Sequence, residues 1–116
     1  NLSRPQADYV SALYYFNIND GKKADSLLNI SMLQDHYFVK NFLLKGKILL
    51  QNNHAQDAID NFKDGLKAEP KNVALLNNIA NAYMHLKQPD SAKAYYTKSL
   101  IVRPFQPKIS EQLKTL

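Results

Sequence analysis

Cysteine is absent from the 116 residues. This excludes a disulfide-stapled scaffold, a thiolate zinc site and a cysteine nucleophile, and it is neutral between a reducing cytosol and an oxidising periplasm. Glycine occurs only three times, too rarely for a loop whose backbone cradles a phosphate. No apolar run approaches the ~18 residues that signal a membrane-crossing helix, so membrane insertion is not expected. The opening residues, Asn1 to Gln6, carry neither an initiator methionine nor the charged-then-apolar order of a signal peptide. A processed or excised piece of a longer protein is therefore expected.

What is present is ordinary for a globular chain: 45% apolar and 22% charged residues. The length suits one domain. A compact globule of 13.2 kDa would expose about 6,400 Å² of the roughly 19,000 Å² of the unfolded chain, enough burial without a staple. The net charge of +5 raises the question of nucleic acid. It is spread as a gradient, −1 over residues 1–38, +2 over 39–72, +3 over 73–106 and +1 over 107–116, with no Arg-rich stripe interleaved with aromatics. Nucleic acid is thus a disfavoured partner, and the charge reads as a mildly basic surface.

The chain repeats itself every 34 residues. Ala12, Gly46 and Ala80 share one register, Ala24, Ala58 and Ala92 another, and Leu28, Phe62 and Tyr96 a third. Ser31, Gly65 and Ser99 follow, then Met32, Leu66 and Leu100, and Tyr15, Leu49 and Tyr83, while Pro70 and Pro104 close two of the units. Such a period marks stacked supersecondary units. Each unit reads as two helices. In the second, Phe42, Leu49 and Leu50 lie on one side of a helix over 39–52, and Ile59, Phe62 and Leu66 form an i, i+3, i+7 stripe over 55–68. Asn53, like Asn19 one repeat earlier, suits the left-handed residue that ends a helix. Pro89 and Pro107 suit first turns, and Pro70 and Pro104 stop the helices before them. His36 stands where the first unit lacks its proline. The small residues are expected to let paired helices approach, Gly46 against Ala58, Ala80 against Ala92 and Ala12 against Ala24, with aromatics filling the gaps between hairpins. Ile109, Leu113 and Leu116 mark one further short helix that covers the last hairpin or opens another unit.

These registers resemble the tetratricopeptide repeat. Leu76, Ala80, Tyr83, Ala92, Tyr96, Ser99 and Pro104 carry the likeness in the third unit, and Phe42, Gly46, Leu49, Ala58, Phe62, Gly65 and Pro70 in the second. The first departs at Asp8, Ser11 and His36. The resemblance implies an all-α superhelix, or solenoid, in one domain. It comprises three helix-turn-helix repeats, about 5–38, 39–72 and 73–106, with a capping helix over 107–116.

No constellation for catalysis emerges, and the chain is not expected to be an enzyme or to hold a cofactor. His36, His54 and His85 fall at unrelated points and none has the i, i+4 partner of a helical metal site, so no metal is expected. Asp57, Asp60 and Asp64 share a helix face, for which pairing with Lys63 and Lys67 is the plain reading. The serines lie in no strand–turn–helix elbow.

The resemblance implies that the first helix of each unit lines a concave groove. Carried onto this chain, that groove comprises Tyr9, Leu13, Phe16 and Asn17, then Lys40, Leu43, Lys47, Leu50 and Gln51, then Ala74, Asn77, Asn78, Asn81 and His85. One end is apolar, the middle has two ammonium groups, and the far end is rich in amides that both donate and accept. An extended peptide or protein segment is the expected partner, and scaffolding of an assembly the expected role. The alternatives are that the asparagines are merely solvated, that some of the apolar residues contact a missing preceding repeat, or that the chain is a structural spacer or self-association module of a larger protein; a monomer or weak self-association is expected. Members that hold a chaperone's terminal carboxylate use a set of lysine, asparagine, lysine and arginine spread over three repeats. Here Tyr9, Leu13, Leu44, Ala74 and Asn78 stand at those positions, so a heat-shock chaperone tail is not the expected ligand.

Overall fold

The structure is a computed structural model that describes residues 3–116; of the opening segment, Asn1 and Leu2 lie outside the described residues. Seven helices follow one another: α1 (Arg4–Asn17), α2 (Gly21–Gln34), α3 (Val39–Gln51), α4 (Ala55–Ala68), α5 (Val73–His85), α6 (Pro89–Val102) and α7 (Pro107–Lys114). Among the described residues there is no strand.

Local chemistry sets the helix ends. Ser3 Oγ accepts from the Gln6 amide at 3.3 Å while the Gln6 side chain accepts from the Ser3 amide at 3.2 Å, a reciprocal cap that opens α1. Asp20 caps α2 by accepting from the Lys23 amide at 3.2 Å, and Asn72 caps α5 by accepting from Leu75 at 3.0 Å. Pro89 and Pro107 occupy first turns as expected. The turn inside each hairpin is the same: Asn19, Asn53 and Lys87 have φ of 65°, 62° and 57°. In the second, His54 N–H donates to Leu49 O at 2.8 Å and Asn53 N–H to Leu50 O at 3.1 Å, the paired bonds that close a helix C-terminus. The two asparagines announce these turns in the sequence; Lys87 takes the same conformation without such a signal.

Helices α1 and α2, α3 and α4, and α5 and α6 pair as hairpins, and α4 packs broadly on α5. Ala12 and Ala24 share one buried cluster, and Ala80 and Ala92 another. The space beside Gly46 is filled by the ring of Phe62, which leaves no room for a Cβ there. Phe62 thus fills its own hairpin beside Gly46 and shares a cluster with Leu75 and Ile79 of the next, while Tyr96 lies beside Ala80 and Ala92.

The two junctions between hairpins differ. At the second, Gly65 admits Leu75 and Phe42, whose side chains lie 3.1 Å from its would-be Cβ. At the first, the same registers hold Ser31 and Asn41, both buried. Asn41 Nδ2 donates to Ser31 Oγ at 2.8 Å, and Ser31 Oγ donates to Pro5 O at 2.8 Å. A polar chain therefore replaces an apolar contact. At the far end Ile109, Leu113 and Leu116 seal the last hairpin.

The stack measures 41 × 27 × 21 Å and exposes 7,206 Å², more than the compact-globule expectation, because a row of hairpins has no common centre to wrap. Gly46→Leu is expected to cost about 1–3 kcal/mol or more through overpacking, seen as a lower midpoint in a circular-dichroism melt. Gly21→Ala has open space around it and is expected to gain about 0.4–1 kcal/mol. An unchanged melt for Gly46→Leu would overturn the Gly46–Phe62 contact.

Candidate functional site

The residues assigned to the groove all lie on α1, α3 and α5, the first helix of each hairpin. None is fully buried. Tyr9, Leu13 and Phe16 are half-buried and rest on the cluster of Ala12, Ala24, Leu28, Leu44 and Ile48. Leu43 and Leu50 rest on the central cluster around Phe62. Asn17, Lys40, Lys47, Gln51, Ala74, Asn81 and His85 are exposed, and Asn77 and Asn78 half-buried. Tyr9 packs edge-on against Phe38, ring centres 5.4 Å apart, and burial raises its hydroxyl above the usual tyrosine pKa, so it stays a donor. Neither Lys40 nor Lys47 takes part in an ion pair among the described residues.

The amide end is less free than its composition suggests. Asn77 Nδ2 donates to Gln106 Oε1 at 3.0 Å, and its Oδ1 is buried without a protein donor. Gln106 in turn donates to Ser99 Oγ at 3.0 Å and Arg103 O at 2.8 Å. Asn81 Oδ1 accepts from the Tyr96 hydroxyl. Asn78 alone of the three has no side-chain partner among the described hydrogen bonds. Residues 34 apart also continue onto α7: Lys108, Glu111, Gln112 and Thr115 stand one repeat beyond Ala74, Asn77, Asn78 and Asn81 and line a shallow depression with Pro107. The 34-residue register thus continues this face past His85 onto α7.

Elsewhere the carboxylate face of α4 pairs only partly as expected. Asp64 meets Lys67 at 3.2 Å, but Lys63 donates to the Tyr83 hydroxyl at 3.0 Å and lies over the rings of Tyr83 and Tyr95. That hydrogen bond holds its ammonium above the usual lysine pKa, against the opposing pull of burial. The reason is reach: the tilted Tyr83–Tyr95 pair, 5.8 Å apart, offers an aromatic surface on the next hairpin. A cavity of about 750 Å³ lies outside the predicted groove. It lies between α2 and α4 and is lined by Met32, Leu33, Tyr37, Phe42 and Ala68, with Asn29, His36, Asp64 and Lys67 around them. Among the described residues no group of three or more His, Asp or Glu side chains is placed to hold a metal ion, and no helix is long and apolar enough to cross a membrane.

The family model for the tetratricopeptide repeat matches residues 49–110. The chain belongs to the tetratricopeptide repeat family. Comparison with curated protein sequences gives no match. Among solved structures, the first tetratricopeptide domain of Spaghetti (RPAP3), bound to the HSP90 peptide SRMEEVD, superposes with a TM-score of 0.89 at 13% identity, over 97% of this chain and 89% of that one. The type III secretion translocator chaperone SycD of Yersinia enterocolitica gives 0.89 at 15%, over 99% and 92%. The N-terminal domain of STI-1 from C. elegans gives 0.87 at 11%, over 96% and 92%. At these identities the likeness is one of fold: an all-α superhelix of three tetratricopeptide repeats closed by α7.

Within this tetratricopeptide stack, Asn81 serves the fold and Asn78 does not. Asn81→Ala removes the acceptor of the buried Tyr96 hydroxyl and is expected to cost about 1–3 kcal/mol. Asn78→Ala is expected to stay within about 0.5 kcal/mol. Denaturant midpoints of the two variants check this.

Proposed function

We propose that the chain is a protein-interaction module that binds an extended peptide along the face formed by α1, α3 and α5, and so scaffolds an assembly. The observation that carries this reading is the meeting of half-buried apolar side chains with two unpaired ammonium groups. Tyr9, Leu13, Phe16 and Leu43 are seated on the core and so present an ordered surface at little entropic cost. Lys40 and Lys47 beside them are free to meet a carboxylate. The preferred segment therefore carries apolar anchors for the α1 end and an acidic residue for α3. Asn78, Gln51 and Asn17 supply backbone hydrogen bonds, whereas Asn77 and Asn81 mainly hold the scaffold. In this reading residues 5–106 form three repeats that act as one domain, and the exposed polar face of α7 extends the binding surface beyond the third.

Spaghetti's domain, of the same fold, is bound to an acidic chaperone peptide, which supports peptide binding on such a stack. The ligand here is expected to differ. Tyr9, Leu13 and Ala74 offer no charge at the positions that would hold a terminal carboxylate, and Leu44 is buried. Selection from a displayed peptide library is the direct test. Selected peptides are expected to combine apolar residues with at least one acidic residue. Phe16→Ala is expected to weaken them at least about tenfold, as an anchor does, and Lys47→Glu to reverse the acidic preference, while Lys93→Ala on α6 stays within about twofold. Equal losses from Phe16→Ala and Lys93→Ala would sink the groove, as would tight binding of an acidic chaperone-tail peptide sink the specificity.

A further inference from the structure

The cavity between α2 and α4 is bounded by two hairpins that are both present, with the buried Phe42 of α3 among its lining. That lining differs from the same place one repeat on. Leu33 and Tyr37 are 77% and 78% exposed, whereas the residues 34 positions later are Lys67 and Lys71. The fold therefore does not require apolar side chains there, and large exposed ones gathered round a concavity are informative. Asn29 and Asp64 also line the cavity, and their counterparts are Lys63 and Lys98. Those two lysines lie across Tyr95, with Nζ 5.8 and 4.5 Å from the ring centre. In that position their aliphatic stems cover apolar surface at the second junction. Asparagine and aspartate are too short to do so. The first junction thus keeps an open space of about 750 Å³, within the range of about 300–1,000 Å³ usual for small-ligand sites.

What covers the second junction indicates what suits the first: an unbranched aliphatic chain with a charged end. The polar lining sets the sign of that end. Asn29 is engaged with Asp25 and Lys45, which leaves Lys67, Asp64 and His36. Lys67 and Asp64 pair at 3.2 Å, but their side chains are 81% and 59% exposed, and such a pair holds weakly. A ligand carboxylate can take the place of Asp64 on the Lys67 ammonium, and the His36 ring can donate a second hydrogen bond. The net charge of +5 favours the approach of an anion.

We propose that the cavity between α2 and α4 is a binding site for an aliphatic monocarboxylate. The ligand's chain lies against Met32, Leu33, Tyr37, Phe42 and Ala68, and its carboxylate meets Lys67. The site is separate from the peptide face and does not rest on that reading.

Decanoate is the probe, and the chain supplies its own reporter. Of its two methionines, Met32 lines the cavity and Met84 packs on the last hairpin. In a chain carrying isotope-labelled methionine methyl groups, the Met32 nuclear magnetic resonance signal is expected to shift and saturate with a dissociation constant of about 1 mM, while that of Met84 stays in place. Leu33→Ser combined with Tyr37→Ser changes only exposed side chains and is expected to weaken binding at least about tenfold. Lys67→Ala is expected to weaken it at least about threefold, whereas Lys93→Ala, which removes the same charge from α6, leaves it unchanged. Decyltrimethylammonium, with the opposite head charge, is expected to bind at least about threefold more weakly than decanoate. A Met32 signal that moves no more than that of Met84, binding indifferent to the Leu33 and Tyr37 substitutions, equal losses from Lys67→Ala and Lys93→Ala, or equal binding of the two probes would overturn the proposal.

Discussion

The ring of Phe62 occupies the space that a side chain at Gly46 would fill, and the middle hairpin owes its close pairing to that contact. This hairpin touches neighbours on both sides, so its geometry passes to the rest. With α3 and α4 drawn together, Phe42 and Gly65 form the surface on which Leu75 of α5 sits. The cluster then runs from Val39 through Phe62 to Ile79 and Ala82. At interior packing densities such contacts transmit any displacement to the next layer. A third layer is built the same way, with α7 laid on Tyr96, Ala80 and Ala92.

The first hairpin is attached differently. Its link to α3 includes the buried chain from Asn41 through Ser31 to Pro5, with Leu44 and Ile48 supplying the apolar part. Hydrogen bonds are directional, and buried ones are costly to leave unmade. Ser31 and Asn41 therefore set the position of α1 relative to α3 more narrowly than apolar contact would. That would matter for the proposed peptide binding, because Tyr9, Leu13 and Phe16 lie on α1 and Lys40 and Lys47 on α3. The proposed groove would straddle this junction.

Groups that looked equivalent in composition serve different ends. Asn77 and Asn81 are engaged with Gln106 and Tyr96, whereas Asn78 is not. Lys63 is engaged with Tyr83, whereas Lys40 and Lys47 have no anionic partner among the described residues. In each case the deciding factor is a residue more than ten positions away in the chain.

The order of helices, their turns and most of their limits were legible in the chain because they depend on local signals: the 34-residue recurrence, Asn19 and Asn53 at left-handed turns, Pro89 and Pro107 at first turns. The membership of the core followed from the same periodicity, since Leu28, Phe62 and Tyr96 recur where a helix faces inward. Three things were decided only by the tertiary structure: that the ring of Phe62 fills the space beside Gly46, that Lys63 prefers an aromatic pair on another hairpin, and that two of three asparagines are bonded. Periodicity tells which side of a helix is buried, because that is a property of one helix. Which partner meets it depends on the offset between two helices, and that offset is set by packing across the whole stack.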